Sequence, residues 1–220
     1  MNLFPLWNSL RIAAISAVIV FFLGIFFAYW VRKCPRILKG ILDVFFTLSL
    51  VLPPTVIGFF LIMIFGVRKP IGGFLYSLGI KLINDWKGGV LAAVIITFPL
   101  MYRTVRSSFE SFDENLISAG KTLGLSNHYV FWHITIPNCK NGLIAGTVLA
   151  FARGLGEYGA TSMFIGYNEY RTATISTTVA MTWDNAETQK IALFWAVFNI
   201  ILSAIILITV NMFETIRRTK

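Results

Sequence analysis

Charge is scarce in this 220-residue chain: Asp, Glu, Lys and Arg together make up 13% of it, and only 10 residues are acidic. Soluble domains carry roughly 25% charged residues, so the composition excludes an ordinary water-solvated globule. Histidine and cysteine are scarcer still, at two each. His128 and His133 have no carboxylate or cysteine at ligand spacing, and nothing resembles a phosphate-cradling P-loop or a nucleophile elbow. No catalytic residue, cofactor or metal is expected. The formal charge of +9 raises nucleic acid as a partner. The basic residues, however, sit at the edges of apolar runs, where they set topology and meet lipid headgroups, so no nucleic acid is expected.

What the chain does have is apolar length. Hydrophobic residues reach 56%, the mean hydropathy is +0.73, and five runs are apolar enough for spanning helices, at about 9–30, 45–65, 89–105, 142–165 and 193–213. A hydrocarbon core about 30 Å thick needs about 20 such residues per helix. The expected class is therefore all-α, a polytopic membrane protein built as a single transmembrane domain over 1–220. The first run is too long for a signal h-region and is followed by Arg32, Lys33, Arg36 and Lys39, so it reads as a retained helix.

The same basic cluster puts the N-terminus outside and the C-terminus in the cytoplasm. On that topology eleven Lys and Arg face inward: those four, then Arg103, Arg106, Lys121 and Lys140, then Arg217, Arg218 and Lys220. Seven face outward: Arg11, Arg68, Lys69, Lys81, Lys87, Arg171 and Lys190. Cys34 and Cys139 then lie in the reducing cytosol and read as ordinary thiols.

The longest inner loop, about 106–141, is mixed polar and aromatic. Leu116 to Leu123 reads as a short amphipathic helix stopped by Gly124, a natural left-handed end residue. Leu116, Ile117, Leu123 and Leu125 put apolar side chains on a water-facing turn, which fits either a partner surface or a fold back under the chain's own bundle. The segment resembles the coupling loop of binding-protein-dependent ABC importer permeases, whose pattern is Glu-Ala-Ala, three residues, Gly, nine residues, Ile-x-Leu-Pro. Ser118-Ala119-Gly120 takes the first triplet, Lys121-Thr122-Leu123 the spacer, Gly124 the glycine, and Ile134-Thr135-Ile136-Pro137 the close. Ser118 stands where the family has its acid, Gly120 replaces the second alanine and Ile136 the leucine. Ser118 is expected to cap the helix N-terminus.

The resemblance continues through nearly the whole chain. Leu52-Pro53-Pro54-Thr55-Val56 and Ala152-Arg153, then Gly156-Glu157-Tyr158-Gly159-Ala160-Thr161, look like the molybdate branch of these permeases, with Tyr158 in place of a phenylalanine. Pro53 and Pro54 break helix regularity inside the second run, which serves either a pathway or hinge or a plain kink. Arg153 and Glu157 fall one helical turn apart deep in the fourth run, either as part of a gate or as an intrahelical lock. Pro53, Pro54, Thr55, Arg153, Glu157 and Thr161 are the pathway and gate candidates. Gly142, Gly146, Ala150 and Gly154 form a small-residue stripe for close packing, within one subunit or between two. Before the fifth run, Thr174, Ser176, Thr177, Thr178 and Thr182 suggest a short helix at the outer mouth whose hydroxyls could meet a passing oxyanion.

The resemblance implies a type I ABC importer permease fold and a homodimer with the path along its two-fold axis. It also implies two cytoplasmic ABC ATPase subunits docked on the 118–137 loops and an extracytoplasmic oxyanion-binding protein. Molybdate is the ion it points to, with sulfate, thiosulfate or tungstate as alternatives on the same architecture. A secondary transporter would instead show internal repeats and midplane carboxylates, and Glu157 is the one acid deep in a run.

Overall fold

A computed structural model describes the backbone of residues 2–218 and the side chains of residues 2–209. Among these residues the regular structure is entirely helical. In chain order the helices are α1 (Phe4–Arg32), α2 (Arg36–Thr47), α3 (Pro54–Phe65), α4 (Pro70–Ser77), α5 (Trp86–Glu110), α6 (Glu114–Thr122), α7 (Asn127–Val130), α8 (Ile136–Asn138), α9 (Lys140–Leu155), α10 (Gly159–Ile165), α11 (Ile175–Trp183) and α12 (Gln189–Arg218).

Small residues set the core, because they let helix backbones come close. α1, α5 and α9 pack on one another through Ala13, Val20 and Ala28 of α1, Met101, Tyr102 and Val105 of α5, and Leu143 and Ala150 of α9. A Cβ on Gly24 would lie 2.6 Å from Met101 Cγ. Phe27, Phe46, Phe98 and Tyr102 form an aromatic cluster at the α2 end of this bundle, with Phe46 5.2 Å from Tyr102 and 5.5 Å from Phe98. A second cluster joins α3 and α10 to the N-terminal half of α5 through Ile57, Leu61, Ile96, Ala160 and Phe164. α12 packs on α11 and touches α9, leaving Ile200, Ile201, Ile205 and Ile208 exposed.

Of the five expected spans, three are single helices long and apolar enough to cross a membrane: α1, α5 and α12 through Thr209. α5 runs well past the expected 89–105 at both ends, starting at an Asp85 side chain that accepts from Lys87 N at 3.1 Å. The second run is not one helix. α2 and a 3₁₀ turn at Leu48–Leu50 are bent by 105° from α3, because Pro54 opens α3 and the residue before each proline is held extended. The fourth run is also interrupted, between Leu155 and Gly159. For the fifth run, the side chains of 210–213 lie outside the described residues, as do those of Arg217, Arg218 and Lys220.

Charged side chains fasten α2 to the C-terminal end of α5. Asp43 pairs with Arg106 and accepts from the Tyr102 hydroxyl at 2.5 Å, while Lys39 pairs with Glu110 at 2.5 Å. Glu110 also accepts from Arg106 Nε at 3.1 Å.

Candidate functional site

The long loop after α5 folds as a helical hairpin. α6 begins two residues before the expected start: Asp113, not Ser118, caps it, its carboxylate accepting from Asn115 N at 2.9 Å. Ser118 instead lies inside the helix and donates to the Glu114 carbonyl at 3.2 Å. An aspartate beside the first free N–H groups is the better acceptor there, which is why it wins. At the other end Gly124 has φ of +77°. Its N–H bonds Lys121 O at 2.9 Å and that of Leu125 bonds Gly120 O at 3.1 Å, a Schellman turn.

The chain after this turn is helical, where a loop was expected. Ser126 caps α7, a π turn spans Phe131–Thr135, and α8 carries Pro137. A proline inside a helix lacks one N–H and crowds the preceding turn, and the wider π turn just before it relieves both. Gly120 is the joint of the hairpin. It is buried, and a Cβ there would stand 3.1 Å from Val130 Cγ2 and 3.2 Å from Ile134 Cδ1. Ile117 and Leu125 are half-buried, whereas Leu123 is 78% exposed and Leu116, Tyr129 and Trp132 are exposed too. The apolar side chains therefore divide between the fold and a free surface. Ser118, Ala119 and Pro137 lie on the exposed side, and Ile134 and Ile136 are half-buried.

The two interrupted runs meet at their interruptions. A Cβ on Gly159 would lie 2.9 Å from Pro54 Cβ, and one on Gly58 would lie 2.9 Å from Ala160 O. Pro53 and Pro54 are thus the entry to α3 and not a kink within a helix, while Pro53 and Thr55 are exposed. Glu157 lies beyond the end of α9, in the break, and not on a shared helical face with Arg153. It is 3% exposed. Its Oε1 accepts from Ala160 N at 2.8 Å, which satisfies a free donor of α10. Its Oε2 is 2.8 Å from Arg153 Nη1 but off the line of the N–H bonds, an ion contact without an aligned hydrogen bond. The Arg153 side chain remains 38% exposed. Thr161, expected on the pathway, is buried in the core.

A third irregularity adjoins these two. Pro99 lies inside α5, so the Ile95 carbonyl loses its helical donor. Ser49, in the turn between α2 and α3, donates its hydroxyl to that carbonyl at 3.0 Å. Sequence reasoning missed this pair. Pro99 inside an apolar run was the available signal, but nothing local identifies the donor 46 residues away.

The small-residue stripe lies against the same chain. Gly142 faces Ser108, Gly146 faces Met101 and Thr104, and Gly154 faces Ala13, Ser16 and Thr97, with Ala150 buried among them. Of the hydroxyls before the fifth run, those of Thr174, Thr177 and Thr182 are bonded within α11, and the Thr178 hydroxyl is buried without a partner. Thr174 and Thr177 form a capping box on α11, and Thr182 donates to Thr178 O at 2.7 Å. Thr174, Thr177 and Thr178 are buried, which removes them as ion contacts at the surface, and Ser176 is half-buried. Asn8 and Ser9 tie this helix to α1 through Ala173 O and Ile175 N.

The helical bundle carries this hairpin, with its exposed Leu116, Leu123, Tyr129 and Trp132, beside two interrupted apolar runs. Residues 20–217 match the model of the binding-protein-dependent transport system inner membrane component. The chain belongs to this family. Over 176 residues, covering 78% of this chain and 77% of the relative, it is 42% identical to the Molybdenum transport system permease protein ModB of Escherichia coli K12. Over 212 residues, covering 96% and 93%, it is 34% identical to the Putative molybdenum transport system permease protein YvgM of Bacillus subtilis 168. The fold is that of ABC importer permeases: a bacterial transporter for import of the acidic polysaccharide alginate matches with a TM-score of 0.78 at 14% identity, covering 98% of this chain and 79% of that one. Membership makes the chain an inner-membrane transport component.

Proposed function

We infer that the chain is the permease subunit of an ATP-driven importer that carries molybdate across the cytoplasmic membrane. The observation that carries this reading is the 42% identity to a molybdenum permease over most of both chains. In the working unit two copies pair around the path, and each crosses the membrane five times, with α2–α3 and α9–α10 as interrupted spans. The N-terminus is outside and the C-terminus inside. A separate ABC ATPase subunit docks on each 114–138 hairpin, and an extracytoplasmic oxyanion-binding protein delivers the ion. The exposed Leu116, Leu123, Tyr129 and Trp132 supply the ATPase contact, since an exposed apolar patch on a polar turn fits a partner groove. ATP binding moves the hairpins, and the touching breaks at Pro53–Pro54 and Gly156–Gly159 give way, alternating access. Arg153, whose guanidinium keeps a free exposed side, is the cation placed to meet an oxyanion.

The test is reconstitution in vesicles with the ATPase and binding protein. ATP-dependent molybdate uptake should resist excess sulfate. Uptake that sulfate abolishes equally well reassigns the ion, and uptake driven by an ion gradient without ATP refutes the importer class.

A further inference from the structure

The inner end of α1 and the hairpin enclose a cavity of about 350 Å³ that the functions above leave unused. Arg32, Lys33 and Lys121 line it, and Glu114 is the one carboxylate among its lining residues. That carboxylate does not satisfy the site. Arg32 Nη2 donates to Glu114 Oε1 at 2.9 Å, but the Glu114 side chain is 78% exposed and meets the guanidinium from the water side, whereas that of Arg32 is 15% exposed. The other terminal nitrogen, Nη1, is buried with no hydrogen-bond partner. Withdrawing a charged donor from water without an acceptor is unfavourable. Lys33 Nζ sits 4.0 Å over the Tyr29 ring, which holds its charge at the wall without neutralising it. Lys121 has no ion pair among the described residues.

We propose that this cavity binds a phosphate-class oxyanion, bridging α1 to the hairpin. A guanidinium with one unpartnered nitrogen, two lysines and Asn127 among the lining residues match such an anion in charge and in donors. The anion is either a free ion or the headgroup of an anionic phospholipid, because the basic end of a span lies where headgroups are. Either source would hold the hairpin against α1, so occupancy sets how firmly the coupling surface is held. The inference does not depend on which ion is imported, and its failure would leave the import reading intact.

The test uses the whole transporter, permease with its ATPase subunits, delipidated in neutral detergent and followed by thermal unfolding. Inorganic phosphate and short-chain phosphatidylglycerol are titrated separately, with phosphatidylcholine as control. A saturable rise in midpoint with phosphate assigns the site to a free ion, and a rise with phosphatidylglycerol alone assigns it to the headgroup. In both cases Lys121→Gln, an exposed position that leaves the Arg32–Glu114 pair intact, should weaken apparent affinity about tenfold. Arg32→Lys, which keeps charge but loses the fork, should weaken it as well. No response to either anion, or an unchanged response in Lys121→Gln, overturns the proposal. Loss of ATPase co-purification in Lys121→Gln without any anion response would give the cavity to an acidic side chain of the ATPase and overturn it too.

Discussion

Replacing Ser49 with alanine removes one hydroxyl and leaves the Ile95 carbonyl with no donor, since the missing N–H of Pro99 already took its helical partner. The bond is 3.0 Å long and borders an apolar groove lined by Leu23, Phe46 and Phe98, where water offers little replacement. A net hydrogen bond inside a membrane protein is worth about 0.6 kcal/mol on average and up to about 1.7, and an unsatisfied carbonyl costs about 1–3. We therefore expect Ser49→Ala to destabilise by about 1–2 kcal/mol. Pro99→Ala supplies the missing N–H, so Ile95 regains a partner within its own helix. In that background Ser49→Ala should cost little, and the two changes should couple by about 1 kcal/mol. The assay is reversible unfolding of the purified permease in mixed micelles, run as a double-mutant cycle. Additivity within about 0.3 kcal/mol would refute the account, because it would mean that Ser49 does not serve the gap left by Pro99.

Four further outcomes are expected. Glu157→Gln should cost about 1–2 kcal/mol, below the 3–5 of a fully dry pair, because Arg153 keeps 38% of its side-chain exposure; adding Arg153→Met should restore thermal stability but not molybdate uptake, and recovery of both would leave the pair a packing element. Gly124→Asp puts a side chain at φ +77° with, its chain neighbours aside, no atom of the described residues within 4 Å of the new Cβ. It should cost only about 1 kcal/mol of folding yet reduce ATPase co-purification, and undiminished co-purification counts against the docking surface. An impermeant thiol reagent should miss Cys34 in intact cells and label it after permeabilisation, whereas Cys139 should stay silent in both, being 2% exposed with a thiol pushed up by burial. Gly58→Ala should cost about 2–3 kcal/mol because its Cβ meets the Ala160 carbonyl at 2.9 Å, and Gly24→Ala should cost less because Met101 is a flexible neighbour; equal midpoints in thermal unfolding would contradict the distinction.

The long helices were legible because uniform apolarity over about 20 residues has few other uses. Interruptions were harder to read. A run such as 142–165 stays apolar across its break, so hydropathy alone cannot separate one helix from α9 and α10, although Gly154, Gly156 and Gly159 within six residues mark the place. Glu157 was legible as a special residue but not in its local role, since a spacing of four suggests a helical pair and only the backbone shows that it satisfies a donor of α10. In the hairpin, the Gly124 stop followed from glycine's freedom at positive φ. The helix from Asn127 to Asn138 did not, because Pro137 argues against a helix interior and nothing in the residues themselves announces a π turn.

The packing at Gly120 has a mechanical consequence. With no side chain of its own there, the first arm of the hairpin lies flush on Val130 and Ile134, and the Schellman turn pins the corner between them. The second arm then passes, with only Cys139 between helical segments, into α9. A push on the first arm is therefore passed through Gly120 to the helical segments that lead into α9, and along α9 to the break beside Glu157.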